Sequence, residues 1–212
     1  NISKRFTIAI IHRNGFRRLK AALDSAINIA GKSDEILIID NASTDNSMEK
    51  IEQDNAYKNI KIIKNSCNTG YAYTCNQAMS QGNGKYFLLC NNDIKLPKNC
   101  LSDFEKIFID FPESGIIGGQ LLDVNQNMVG SYSKAPTFFS ELDSIGRLRS
   151  PERYQTIHEV GTLRGACLAV RRSTVESAGM MDEDFFFYFE ETEWCTRIAK
   201  NGWKGLIAPH IK

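Results

Sequence analysis

The chain has 212 residues and a mass of 23.9 kDa, which at about 100–200 residues per domain makes one large domain or two small ones. Apolar residues make up 42% and charged residues 24%, close to globular averages, so disordered, collagen-like and coiled-coil chains are excluded. Lys and Arg number 26 against 25 Asp and Glu, a formal charge of +1; this is too balanced for nucleic acid as the main partner, and no apolar run approaches the roughly 20 residues of a spanning helix.

Phe6 to Ile11 (FTIAII) is apolar and rich in β-branched residues, which predicts a buried strand. From Arg17 to Ile29 the apolar side chains fall at Leu19, Ala22, Leu23, Ala26 and Ile27, the stripe of an amphipathic helix. Glu35 to Ile39 is the next strand, and Asp40 to Asn46 is a polar turn full of capping residues. A short helix is expected from Ser47, with Asn46 and Glu49 spaced as a capping box. Ile60 to Lys64 reads as a third strand, Ala72 to Ser80 as a helix, and Tyr86 to Cys90 as a fourth strand after the break Gly82-Asn83-Gly84.

The second half continues with a helix over Leu101–Phe111 and a strand beginning at Ile116-Ile117. Residues 125–154 have weak periodicity and are expected to be a long, partly irregular segment lining a site. Leu168 to Val170 is a short strand. The aromatic run Phe185–Phe189 leads into Glu190-Glu191-Thr192-Glu193 and a helix that reaches Lys200; Gly202 ends it, and Gly205 to Ala208 is a closing strand. No repeat or linker marks a domain boundary. The whole chain, 1–212, is expected to form one domain with a nucleotide-binding half (1–98) and an acceptor and catalytic half (99–212).

Strand–helix alternation at this rhythm implies right-handed crossovers and a mostly parallel α/β sheet flanked by helices. Ligands in such sheets bind beyond the carboxyl ends of the strands. The polar residues of the first half fall there: Asn14, Asp40 and Asn41, Asn68, then Asn91-Asn92-Asp93. The six cysteines show no zinc spacing and are expected as free thiols in a reducing compartment. No signal-peptide pattern is present, which fits a cytoplasmic chain.

Neither a G-x-x-x-x-G-K-[ST] loop nor a G-x-G-x-x-G turn follows the first strand, which disfavours P-loop and NAD-dependent enzymes. A nucleotide would then be met through a metal rather than a glycine cradle. Asp93, directly after an apolar strand, is the candidate ligand for a hard divalent cation, since magnesium is usually held by one or two carboxylates plus substrate phosphates. Asn91 can hydrogen-bond a ribose. Asp40 can accept from the ring N–H of a uracil or thymine base, or cap the turn that follows. His12 and Arg13 are placed in a loop within reach of a diphosphate, and His210 completes an Asp93 metal site if the fold brings the two together. Glu190, Glu191 and Glu193 suit the helix dipole. Beside five aromatics, one of these carboxylates is also expected to be desolvated and to serve as a general base.

Five segments in order resemble the family 2 glycosyltransferases of the GT-A fold, close to bacterial rhamnosyltransferase-like members. They are IIDNAS ending at Ser43, NTGYAYTCN over Asn68–Asn76, LLCNNDI ending at Ile94, RGACLAVRR from Arg164, and MDEDFFFYFEETEWCTR ending at Arg197. The resemblance implies an inverting transferase of the cell envelope that takes a UDP- or dTDP-sugar with Mn or Mg. It implies an acceptor that is a glycan or a lipid-linked glycan, met at the inner membrane face by peripheral association. It makes Asp40 the reader of the base, and Asn68 to Asn76, with Gly70 between them, a wall of the nucleotide pocket. Asn91-Asn92-Asp93 becomes the counterpart of a D-x-D motif with Asn at its first position. Glu191 falls on the base position, where relatives often carry Asp, beside Glu190; His210 resembles a late metal-shell His. Gly165-Ala166 passes under the donor sugar, and residues 132–154 form the acceptor wall. The alternatives are a nucleotide-sugar-binding module without catalysis, or one domain of a larger glycan synthase.

Overall fold

A computed structural model describes residues 3–133 and 155–212. The strands are β1 (Lys4–His12), β2 (Glu35–Asp40), β3 (Lys61–Lys64), β4 (Gly84–Asn91), β5 (Ser114–Gly119), β6 (Tyr132–Ser133), β7 (His158–Glu159), β8 (Thr162–Leu163), β9 (Cys167–Arg171) and β10 (Lys204–Ala208). The helices are α1 (Phe16–Ile29), α2 (Ser47–Gln53), α3 (Tyr71–Gln81), α4 (Cys100–Asp110), α5 (Arg172–Ala178) and α6 (Glu190–Lys200). Eight strands form one sheet in the order β3-β2-β1-β4-β9-β5-β10-β7, and β6 pairs with β8 in a small second sheet.

The β1, β2, β3 and β4 pairings are parallel, as is β5 with β10, whereas β9 runs antiparallel between β4 and β5. Two reversals in succession leave β4 and β5 pointing the same way. The carboxyl ends of β1, β2, β3, β4, β5 and β10 therefore share one edge, and the amino end of β9 joins them. This is where an open α/β sheet receives its ligand.

Alternate side chains of the central strands enter two cores. Ile8, Ile10, Tyr86 and Leu88 pack with Leu19, Leu23, Phe104 and Phe108 of α1 and α4. Ala9, Ile11, Phe87 and Leu89 pack with Ala72, Met79, Trp194 and Ile198 of α3 and α6. Both faces of the sheet are covered, which is why its strands read as unbroken apolar runs. Helix α1 buries Leu19, Ala22, Leu23 and Ala26 as its stripe predicts, while Ile27 stays 37% exposed at the margin.

The structure corrects several local expectations. β1 runs to His12, so His12 is the last residue of a strand, fully buried, and not part of a loop. No capping box forms at α2: Asn46 makes no side-chain cap, and the backbone N–H of Ser47 donates to Asp45 at 3.1 Å instead. A short helix, α5, follows β9 where none was expected. All six cysteines are free. Of the segment expected to wall the acceptor, residues 134–154 lie outside the described residues.

Leu88 is fully buried in the sheet, while Val124 is 95% exposed. Leu88→Ala is expected to cost about 2–5 kcal/mol in urea unfolding, and Val124→Ala less than about 0.5 kcal/mol. Equal effects would contradict the placement of the core.

Candidate active site

The shared edge begins with the end of β2. Asp40 is buried, and its Oδ1 accepts from both the backbone N–H (3.2 Å) and the hydroxyl (2.5 Å) of Ser43. Its Oδ2 has no partner among the described residues. The same carboxylate thus caps the turn, as one of its two expected roles requires, and leaves its second oxygen without a hydrogen bond among the described residues.

The asparagines at this edge are built into its frame. The Asn41 amide donates to Asn68 Oδ1 (2.7 Å) and the Gly70 carbonyl (3.2 Å), and its oxygen accepts from the N–H (2.9 Å) and hydroxyl (3.0 Å) of Thr69. Asn14, held at φ 56°, accepts from the backbone N–H groups of Thr44 and Asp45. The Asn92 amide donates to His12 Nδ1 (2.8 Å) and to the Asn14 carbonyl (2.9 Å). His12 Nε2 then faces the Ser47 hydroxyl at 2.8 Å, and that hydroxyl donates to Asp45. With Nδ1 an acceptor, the imidazole is neutral, and burial holds its pKa below the ordinary value. His12 ties β1, β4 and α2 together and does not reach solvent. Arg13 donates to the carbonyls of Asn41 and Ala42.

Asn76 also works inside the protein. It donates to the Met181 carbonyl (2.9 Å) and to Glu183 (2.8 Å), and accepts from the Met181 N–H (3.0 Å). It clamps the loop before the aromatic run, which corrects its expected place in the nucleotide wall. Asn68 is exposed, with only its oxygen engaged, by Asn41 and the Gly70 N–H. Neither the Asn91 side chain nor the exposed Asp93 carboxylate has a partner among the described residues. A pocket of about 500 Å³ opens beside Asp93, with Leu96, Phe104, Gln120 and Ile211 in its walls. Exposed His210 is not among those walls, and no group of three potential metal ligands occurs among the described residues. Asp93 and His210 thus share an edge without forming a finished metal shell.

Gly70 has φ +86°, and a Cβ there would lie 2.5 Å from the Phe186 carbonyl oxygen. That carbonyl accepts from the N–H of Tyr71 at 3.0 Å, so only glycine permits the aromatic loop to dock on the start of α3. The Tyr71 hydroxyl donates to the Gly165 carbonyl. A Cβ on Gly165 would meet the Tyr71 ring at 3.1 Å, so packing against α3 already requires glycine there, apart from any donor sugar. Tyr71 itself was not singled out in the sequence. The 94 residues separating it from Gly165 hide the contact from any local pattern. Ala166 accepts the Asn91 N–H at 3.0 Å, which ties the same turn to the end of β4.

Both carboxylates at the start of α6 carry a buried oxygen without a hydrogen-bond partner. Glu190 is 3% exposed, and its Oε2 has no partner. Burial, aided by the adjacent Glu191 carboxylate, pushes its pKa up to about 7. Glu191 Oε1 accepts the Gly165 N–H at 3.3 Å, while its Oε2 is buried and unpaired. Buried acceptors without donors are rare and mark functional positions. Glu193 instead pairs with Arg197 at 2.8 Å. The aromatic run does not supply the expected desolvation: Phe186, Phe187, Tyr188 and Phe189 are 57–69% exposed. Glu190 is buried on the inner side, within electrostatic reach of Cys75 on α3.

A mostly parallel eight-stranded sheet with helices on both faces is the fold of the GT-A glycosyltransferases, and solved structures share it. S. aureus TarS 1–349 in complex with UDP superposes with a TM-score of 0.73 at 17% identity, over 96% of this chain and 57% of that one. A mannosyltransferase from Pyrobaculum calidifontis in complex with GDP-Man and Mn2+ gives 0.69 at 19% identity, over 97% and 55%. The model of glycosyl transferase family 2 matches residues 7–179, and the chain belongs to that family. An N-acetylglucosaminyl-diphospho-decaprenol L-rhamnosyltransferase of Mycobacterium tuberculosis is 23% identical over 197 residues, 82% of this chain and 64% of the relative. The chain thus spans less than two thirds of the length of the proteins it resembles.

The burial of Glu190 gives a pH signature. Its carboxyl keeps a proton up to about pH 7 when folded, against the ordinary 4.5 when unfolded. As pH rises through that window the unfolded chain releases its proton first, so this group lowers stability progressively and most of all above the folded value. Glu190→Gln should match the parent near pH 4 and exceed it by up to about 3 kcal/mol near pH 8, read from urea unfolding at both pH values. A constant difference would contradict the burial.

Proposed function

We propose that the chain is the catalytic domain of an inverting, metal-dependent glycosyltransferase. It moves a sugar from a UDP- or dTDP-sugar to a hydroxyl of a lipid-linked glycan in envelope polysaccharide synthesis. The observation that carries this reading is the Glu191 carboxylate, with one oxygen on the Gly165 N–H and the other buried and unpaired, beside the turn that Ala166 fastens to Asn91. The L-rhamnosyltransferase relative is named for an N-acetylglucosaminyl-diphospho-decaprenol acceptor, which supports a lipid-linked acceptor reached at the membrane face. No helix among the described residues is long and apolar enough to cross a membrane, so that contact would be peripheral.

Each group then has a role. Asp40 Oδ2 accepts the ring N–H of uracil or thymine, while Asn68 and Asn91 offer amides to the ribose. Asp93 fits a divalent cation: it is a hard, exposed carboxylate without a competing partner, and such ions are completed by phosphate oxygens. When bound, the cation supplies positive charge against the leaving diphosphate. Glu191 Oε2 takes the proton from the acceptor hydroxyl as that oxygen bonds the anomeric carbon. The carbon–phosphate oxygen bond breaks on the opposite face, and its electron pair leaves with the nucleoside diphosphate. Glu190 holds its own proton up to about pH 7, so below that pH it places no full negative charge beside Glu191.

Glu191→Gln should lower transfer by about 10²–10⁴-fold with nucleotide affinity unchanged, and the product should have the anomeric configuration opposite to the donor by NMR. Transfer that survives the substitution, or retained configuration, would remove the base assignment. Nucleotide binding with no turnover on any glycan acceptor would favour a binding module.

A further inference from the structure

The exposed aromatic run has no role in the scheme above. Phe186, Phe187, Tyr188 and Phe189 are 57, 57, 69 and 61% exposed, although four large rings in succession would ordinarily seek the core. Two of the four sit on an unusual backbone. Tyr188 and Phe189 have φ of 72° and 71°, a left-handed conformation that bulky residues rarely adopt and that marks functional segments. The loop is held at both ends: the Phe186 carbonyl by Tyr71, and Met181 and Glu183 by Asn76. The Phe187 and Tyr188 rings touch each other with centroids 4.3 Å apart, tilted by 58°, and so present one joint surface. The run ends at Phe189, the residue before Glu190.

The surrounding charge selects the occupant. Between Arg172 and Arg197 the sequence carries seven acids, Glu176, Asp182, Glu183, Asp184, Glu190, Glu191 and Glu193, and no Lys or Arg. Aromatic patches that dock on anionic membranes are accompanied by basic side chains; this stretch has none between its two flanking arginines, and one of those, Arg197, is already paired with Glu193. A neutral ring with one apolar C–H face and hydroxyls on its rim needs no basic partner. Lying on Phe187 or Tyr188, it would be held two to four residues before Glu190 and Glu191 in the chain.

We propose that Phe187 and Tyr188 form a stacking platform for a pyranose ring of the acceptor, placing its hydroxyl toward Glu191. This rests on the transferase reading and adds to it the place where the acceptor sugar binds.

The test uses saturation-transfer NMR with the protein's aromatic protons irradiated, in the presence of UDP. The probes are the methyl glycosides of glucose, galactose, mannose and N-acetylglucosamine. The ring C–H protons of at least one should receive saturation, and Phe187→Ser with Tyr188→Ala should lower its affinity about tenfold or more. The melting temperature should not change, because both rings are exposed. No saturation for any of the four sugars, or a signal that survives the double variant, overturns the proposal. So does a double variant that loses sedimentation with phosphatidylglycerol vesicles while keeping its sugar signal, since the platform would then serve the membrane. Calorimetry with UDP and dTDP separates the two levels. Nucleotide binding without sugar contact sinks the platform alone, and absence of both sinks the transferase reading as well.

Discussion

The buried amide of Asn41 ties the loop after β2 to the loop between β3 and α3. It bonds Asn68, Thr69 and Gly70 at once, and it does so one residue beyond the end of β2. Gly70, fixed there at positive φ, admits the Phe186 carbonyl, and the aromatic loop that follows delivers Glu190 and Glu191 to the start of α6. Tyr71, the next residue, pins Gly165, whose N–H meets Glu191. Hydrogen bonds linked through adjacent residues thus run from the end of β2 to the proposed catalytic carboxylate. Asn41, Gly70, Tyr71 and Gly165 among its members are buried, where a missing partner costs about 1–3 kcal/mol, so the loops have little freedom to separate.

That division of labour explains the chemistry of the edge. Amides, which both donate and accept, close the loops on themselves: Asn14, Asn41, Asn76 and Asn92 are all engaged. Carboxylates, which only accept, are left with oxygens that have no partner among the described residues: at Asp40, at the exposed Asp93, and at Glu191, where that oxygen is buried. The cost is visible in the backbone and in the acids. Of the five non-glycine residues with positive φ among the described residues, Asn14, Ala42, Tyr188 and Phe189 flank this edge, and both unpaired buried carboxylate oxygens belong to α6. Strain and unsatisfied acceptors gathered in one place are expected where function overrides stability.

The layered fold was legible because its signals are local. Apolar runs at Phe6–Ile11 and Tyr86–Cys90 and the α1 stripe each report burial directly, and strand–helix alternation implies the parallel sheet. The antiparallel β9 was not legible, since its five residues lie between β4 and β5 only through contacts distant in sequence. At the site, the positions of Asp40 and Asp93 followed from strand ends, but their freedom did not: the sequence shows asparagines and acids together without saying which close the loops. His12 read as a candidate for ligand contact from its place after the first strand, and Asn76 from the family resemblance of its segment; the fold turned both side chains inward. The aromatic run was legible as a feature, but its direction was not, because positive φ at Tyr188 and Phe189 has no signature in residue type.

The central claim is that the open oxygens of Asp40 and Asp93 hold a nucleoside diphosphate together with a divalent cation. Isothermal titration of the protein with UDP and with dTDP, each with and without manganese, tests it most directly, with Asp40→Ala and Asp93→Ala alongside. The account predicts that one nucleotide binds at about micromolar affinity only when manganese is present. Asp93→Ala should then remove most of the metal dependence, and Asp40→Ala should weaken binding with and without the metal. Binding indifferent to both substitutions, or no binding of either nucleotide under any condition, would contradict it.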